Sequence, residues 1–497
     1  MSELEQTAAQ GQEAAAGFEV SDFDRLLEQE FKPKSDEAKS AVQSAVQTLV
    51  GQALENANIV SDDAIKTIEG IIAELDKKLS TQVNEIIHNK DFTSLESAWR
   101  GVSYLVNNTN SNESMKIRVM NVSKKDLLTT FKKFKGTSWD QSPIFKKVYE
   151  DEYGTAGGEP FGALVGDYYF NQTGPDVELL RGISQVAAAA HAPFISAADP
   201  SIMNLDSWQD LSKPRDLSKL FSTPEYAAWR SFRESDDSRY VVLTLPRVLS
   251  RAPYGEDTNP VEGFNYTEDT NLGDSRNYNW MNAAYAMGVN INRSFTDYGW
   301  CAHIRGVESG GVVESLPTHT FPTDDGGTIM KCPTEIAITD RREAELSKNG
   351  FLPLCYWKNT DYAVFLGGQT VNKPQEYDNP DATANANLSA RLPYIFATSR
   401  FAHYLKCIVR DKIGSFKERS DMEQWLSNWI SNYVTSDPNA SEEVKAKYPL
   451  AEAKVVVEDV EGNPGYYNAK FYLRPHYQLE GLTTSLRLTT KIPSAGK

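Results

Sequence analysis

The chain has 497 residues, 40% hydrophobic and 24% charged, with 51 Lys and Arg against 68 Asp and Glu for a formal net charge of −17. That length exceeds the size at which one hydrophobic core stops growing, so two or three domains are expected, and the composition is that of a folded globular protein. The acidity argues against an extended nucleic-acid surface, and the longest small-and-apolar run, Val186 to Ala198, is interrupted by His191 and Pro193 and too short to enter a bilayer.

The first seventeen residues are polar and rich in Ala, Gly, Gln and Glu, without the basic and apolar regions of a secretory leader. With four cysteines, Cys301, Cys332, Cys355 and Cys407, spread far apart and no CxxC pair, a cytoplasmic location is expected. A short amphipathic helix follows, with Ser21 as N-cap, Asp22 and Asp24 at the positive end of the dipole, and Phe23, Leu26 and Leu27 as an i, i+3, i+4 cluster before Pro33. One small apolar face between a polar tail and a proline suits a peptide ligand better than a core element.

Two longer helices are expected over Asp36 to Asn56 and Asp62 to His88. In the second, Ile65, Ile68, Ile72, Leu75, Leu79 and Ile86 form a narrow seam that requires another helix, in this chain or in another subunit. Phe92 to Val106 reads as a further helix with Leu95, Ala98, Trp99, Val102 and Leu105 on its apolar side. MKIRVMNV from Met115 reads as a strand, followed by a helix from Ser123 to about Phe134. Strands are then expected at Ala163 to Phe170, Pro193 to Ala198 and Arg239 to Leu245, with a helix at Asp176 to Ala190. Arg251 to Ser275, rich in Asn, Asp, Gly, Thr and Pro, reads as a long loop or insertion. A helix at Asn279 to Asn290, strands within Cys301 to Thr320, at Phe351 to Trp357 and at Tyr362 to Phe365, and a short helix at Asp340 to Lys348 complete the central region.

The polar stretch Asn372 to Asn387 marks a boundary. Beyond it come a long amphipathic helix, Arg391 to Phe416, a shorter one at Asp421 to Tyr433, and strands near Lys454 to Asp459, Tyr466 to Arg474 and Thr483 to Lys491, the first two joined by the turn EGNPG at Glu461 to Gly465. On the long helix Ala397, Phe401, Tyr404, Leu405 and Ile408 share one side, and Lys406, Arg410 and Lys417 another. A basic row on an acidic protein suggests docking against an acidic surface, although Lys and Arg also decorate the solvated side of ordinary helices.

Fragments that invite an enzymatic reading lack the residues the chemistry needs. The glycines of Tyr153 to Gly162 have no Lys-Ser/Thr pair for a phosphate loop, and Asp324 to Gly327 lacks the alternating oxygen ligands of a calcium loop. His403 and Cys407 are one helical turn apart, but no second ligand pair accompanies them, so a structural histidine beside a buried thiol is the simpler reading. No catalytic, cofactor or metal residue is assigned, and a dispersed active site stays open as an alternative.

The segments DFTSLESAWRGVSYLV at Asp91 to Val106, RLPYIFATSRFAHYLKCIVRDKIGSF at Arg391 to Phe416 and YNAKFYLRPHYQLEGLTTSLRLTTKI at Tyr467 to Ile492, with the overall length and block order, resemble the large sheath subunit of the type VI secretion system, the VipB/TssC family. The resemblance implies a mixed α/β (α+β) multidomain sheath protein that pairs with a small sheath subunit (VipA/TssB), polymerises as a helical sheath around an inner tube (Hcp) on a baseplate, and is recycled by a AAA+ unfoldase (ClpV). It implies Phe23, Leu26 and Leu27 as the unfoldase contact, and intersubunit strands carrying Tyr467, Phe471, Leu473, Leu486 and Leu488. The row of Lys406, Arg410 and Lys417 is the candidate tube-facing surface. The expected layout is a tail and short helix over 1–34, a partner-pairing helical segment over 35–110, a mixed α/β region over 111–385 and a C-terminal sheath module over 386–497. A phage-like tail sheath and a soluble α/β enzyme are the alternatives.

Overall fold

In the computed structural model the described residues are 40, 44, 64–213, 216–270, 275–322, 325–412, 418–461, 467–476 and 478. The short helix with Phe23, Leu26 and Leu27, most of the helix expected over Asp36 to Asn56, and the strand with Leu486 and Leu488 lie outside them. Contacts divide the chain into one unit of residues 1–95 with 252–278 and a second of 96–251 with 279–497.

In the first unit, α1 (Ala64–Ile87) is held to the 252–278 segment by polar bonds. Tyr266 Oη donates to Asn84 Oδ1 at 2.7 Å, the Asp269 amide to the same oxygen at 3.2 Å, and His88 Nε2 lies 3.2 Å from Glu268 Oε1. The stretch that reads as an insertion is thus anchored by the Tyr266 hydroxyl, the Asp269 backbone amide and the Glu268 carboxylate. α2 (Lys90–Asn107) follows, with the division between the units falling at Leu95/Glu96.

The second unit is built on a six-stranded sheet of order β1-β2-β3-β9-β10-β6, from β1 (Leu164–Phe170), β2 (Phe194–Ala198), β3 (Val241–Leu245), β6 (Val312–Val313), β9 (Leu352–Tyr356) and β10 (Ala363–Phe365). β1, β2, β3 and β9 run parallel, while β10 is antiparallel to both β9 and β6. Alternation assigns the two faces: Phe194, Val241 and Leu243 enter one core with α4 (Gly174–Ala190), Ile195 and Val242 enter another with α7 (Ala283–Tyr298). A sheet covered on both sides explains why β2 and β3 are buried at every position. α3 (Lys124–Lys133) is capped by Ser123, whose side chain accepts from the Asp126 amide; α5 (Leu217–Phe221), α6 (Ala227–Arg233) and α8 (Asp340–Lys348) complete the first layer. β4 (Val248–Leu249) pairs with β5 (Trp280–Met281), and β7 (Thr320–Pro322) with β8 (Thr328–Met330), each as a short antiparallel ribbon.

Two expected strands differ. MKIRVMNV forms no strand, its one bridge among the described residues being the isolated Asn112–Met115 pair, and Cys301 to Thr320 yields only β6 and the first residue of β7 because loops absorb the rest. The helix expected over Asn279 to Asn290 starts later, at an Asn282 cap, and continues to a Gly299 terminus with φ +77°.

The C-terminal part comprises α9 (Pro380–Ser389), α10 (Leu392–Lys412), α11 (Arg419–Ser431), α12 (Glu442–Lys447), β11 (Leu450–Asp459) and β12 (Tyr467–Pro475). Phe401, Leu405, Leu426, Ile430, Leu450, Val455 and Val457 make its core, together with Trp300. Aromatic rings fill the centre: Trp300 stands 4.5 Å from Phe401 in a tilted pair and 5.4 Å from Tyr433 edge-on, between ring centroids.

Candidate interaction surfaces

The basic row on α10 is turned inward. Beside it a helical turn at Pro143–Phe145 continues into a π-helix, Lys146–Gly154, whose wider winding brings Tyr149 and Tyr153 towards α10. Lys406 Nζ donates to Tyr149 Oη at 3.0 Å and sits 3.9 Å from the Tyr153 ring centroid. Arg410 donates to the carbonyls of Thr155 at 2.7 Å and Tyr153 at 3.1 Å. The free cationic ridge suggested by the sequence is therefore, for its two described members, a clasp, because carbonyls and aromatic faces attract these charges. Lys417 lies outside the described residues.

One turn earlier, buried His403 donates from Nε2 to the Ala190 carbonyl at 2.8 Å, at the end of α4. Ala190 is followed by His191 in the left-handed conformation, φ +50°, whose Nδ1 lies 3.2 Å from Tyr240 Oη. Burial pushes His403 down to about 4 and lowers His191, the second with help from the Lys406 charge. Burial likewise pushes the Tyr153 phenol up to about 12. A neutral, hydrogen-bonded His403 is thus a structural histidine, and Cys407 is a free thiol.

The second surface is the β-ribbon. β12 carries Tyr467, Phe471 and Leu473 and pairs antiparallel with β11 from Asp459↔Tyr467 to Leu450↔Pro475. Those three side chains are half-buried against the C-terminal core, and Lys470–Glu458 at 2.6 Å and Arg474–Glu452 at 3.0 Å make ion pairs across the ribbon. Tyr467, Phe471 and Leu473 thus belong to a strand with an in-chain partner; among the described residues the other edge of β12 has none. Beyond the strand, Gln478 is fixed by its amide on Tyr394 Oη at 3.0 Å and by its side chain on the Ala302 carbonyl at 3.2 Å. A cavity of about 30 Å³ beside it is lined by His303, His476, Glu442 and Lys445, and burial lowers both imidazoles.

The third surface is apolar. On α1, Ile72 and Ile86, two members of the predicted seam, are 52% and 60% exposed. On α2, Leu105 is buried and Val102 half-buried, whereas Trp99 is 67% exposed and Leu95, Phe92 and Val106 are exposed too. The predicted apolar side is therefore only partly covered. Sequence reasoning missed Val119 and Met120, which are 70% and 50% exposed; their strand-forming pattern was the available signal. Farther along, Glu96 is enclosed by Arg251 at 2.7 Å, Arg100 at 2.7 Å and Asn279 at 3.0 Å. Burial opposes its charge, but the bonds from Arg251 and Arg100 prevail and lower its pKa.

Among the described residues no group of three or more His, Cys, Asp and Glu side chains could hold a metal ion, and no helix is long and apolar enough to cross a membrane.

Comparison with known proteins gives two family matches. Residues 69–372 match the VipB model described as "EvpB/VC_A0108, tail sheath N-terminal domain", and residues 381–492 match the VipB_2 model described as "EvpB/VC_A0108, tail sheath gpW/gp25-like domain". A relative from Pseudomonas aeruginosa, "Type VI secretion system sheath protein TssC1", is 66% identical over 497 residues, covering 100% of this chain and 99% of the relative. Among solved structures, the contracted sheath complex of an extracellular contractile injection system (PVC) is similar at 10% identity and TM-score 0.34, covering 62% of this chain and 68% of that one. The baseplate of the anti-feeding prophage is similar at 10% identity and TM-score 0.33, covering 64% and 67%.

Proposed function

The chain belongs to the VipB (TssC) family of tail sheath proteins and is a structural subunit of a type VI secretion sheath, and from that premise we propose how it works. It copolymerises in the cytoplasm with a small sheath subunit (VipA/TssB) around an inner tube (Hcp) on a baseplate. Contraction of the polymer propels tube and spike, and a AAA+ unfoldase (ClpV) then dismantles it through Phe23, Leu26 and Leu27. Work of this kind comes from free energy stored in the lattice, so firing calls for no catalytic site.

The 66% identity along the whole chain carries this reading. Two features support it: apolar side chains stand in solvent on α1 and α2, and the outer edge of β12 has no partner among the described residues. The intersubunit sheet then forms at the β11–β12 ribbon, with the strand carrying Leu486 and Leu488 crossing to a neighbouring subunit.

Co-expression with the small subunit, followed by negative-stain microscopy, tests it. Long hollow tubules are expected from the pair and aggregates from the chain alone. A stable monomer indifferent to the partner refutes the reading, and tubules without the partner favour a one-chain phage-like sheath.

A further inference from the structure

Ten buried polar side-chain atoms have no hydrogen-bond partner among the described residues, and three of them, His303 Nδ1, His476 Nε2 and Gln478 Oε1, line the cavity of about 30 Å³ beside Gln478. Buried polar atoms nearly always find a partner, so a cavity that gathers three of the exceptions is built for a group that no side chain supplies. The three come from separate stretches: His303 stands in the loop after α7, while His476 and Gln478 follow β12.

The bonds made by the other ends of these side chains fix the chemistry turned to the cavity. Gln478 donates its amide nitrogen to the Ala302 carbonyl at 3.2 Å, so Oε1 is an acceptor. His303 Nε2 lies 3.3 Å from the Glu308 carbonyl, which can only accept; the proton is therefore on Nε2, and Nδ1 is an acceptor. Burial favours the neutral form of both rings, and in a neutral ring His476 Nε2 donates or accepts according to tautomer. Two fixed acceptors and one adjustable group match a water molecule, which gives two hydrogens and takes one. A void needs about 10–15 Å³ to hold a water, and a buried water typically makes about three hydrogen bonds. A metal ion fits less well, because Glu442, the carboxylate in the lining, already pairs with Lys445 at 3.3 Å.

We propose that one ordered water occupies this cavity, donating to His303 Nδ1 and Gln478 Oε1 and accepting from His476 Nε2–H, and that it pins the segment after β12 to the loop after α7. The pin lies at the root of residues 479–497, and it is independent of what the chain polymerises with. The amides of His476 and Gln478 report on it, since they donate to the Pro449 carbonyl at 3.1 Å and to Tyr394 Oη at 3.0 Å.

A map of the full-length chain that resolves ordered solvent, from assembled filaments or from crystals, tests the site. A peak about 2.7–3.2 Å from all three atoms is expected. An empty cavity, a cavity filled by the Lys445 side chain, or a strong peak about 2.0–2.1 Å from the imidazole nitrogens that EDTA removes overturns the proposal. Hydrogen exchange of the same two amides tests the pin. His303→Leu or His476→Leu should speed it roughly tenfold, whereas His303→Asn, which keeps an acceptor near the place of Nδ1, and His476→Gln, which keeps an N–H near that of Nε2, should stay within about threefold of the native chain. Equal acceleration in the Leu and amide variants means that ring packing alone holds the segment, and native rates in the Leu variants mean that the water holds nothing; either result overturns the pin.

Discussion

At the scale of single residues, His403 links pH to stability. Its folded pKa of about 4 lies below the ordinary value of 6.5, so the unfolded chain binds the proton more readily, and the stabilisation is complete above about pH 6.5 and lost as pH falls towards 4. At 1.36 kcal/mol per unit the loss is on the order of 3 kcal/mol. Apparent Tm should therefore fall over that window in the native chain, and His403→Gln should flatten that part of the profile; an unchanged slope refutes the assignment. Gly101 gives a second test. A methyl group there falls within the ring of Tyr285, so Gly101→Ala should destabilise by roughly 1–2 kcal/mol, overpacking outweighing the gain in helix propensity. Equal denaturant midpoints for mutant and native protein would show that the ring yields freely.

At the scale of elements, the clasp between α10 and the π-helix changes what charge reversal means. Lys406→Glu with Arg410→Glu replaces two cations by carboxylates facing the carbonyls of Tyr153 and Thr155 and the faces of two tyrosines, a loss of roughly 2–4 kcal/mol. A fall of several degrees in apparent Tm is expected, measured by thermal denaturation. If stability is unchanged while tube occupancy inside sheaths drops, the cations face the tube instead. The helix that the sequence predicts around Phe23, Leu26 and Leu27, proposed as the unfoldase contact, makes the opposite case. Leu26→Asp with Leu27→Asp should leave assembly and contraction intact but slow disassembly of contracted sheaths by unfoldase and ATP, since losing buried anchors costs a few kcal/mol of binding. Equal shortening of filaments in microscopy counts against the assignment; failure to assemble makes the helix structural.

At the scale of the whole molecule, the fold class and most elements were legible because burial writes itself into periodicity. The runs Phe194 to Ala198 and Val241 to Leu245 read as strands since a sheet covered on both faces wants apolar residues at each position, and α8 ran from Asp340 to Lys348 as expected. What failed depends on partners that no local pattern names. The helical wheel placed Lys406 and Arg410 on one face, but only the irregular winding of Lys146–Gly154 shows what meets them. KIRVMNV reads as a strand but forms none among the described residues, because a local pattern does not supply a ladder partner, and the seam of α1 announced a neighbour without saying which. The ribbon of β11 and β12 has a mechanical consequence. Its ladder bonds lie perpendicular to the strands, so a tug along β12 loads the ladder in shear and all its bonds resist at once, whereas a tug across the ribbon would peel them one by one. A joint attached in line with this ribbon bears a larger force before it tears than one attached across it.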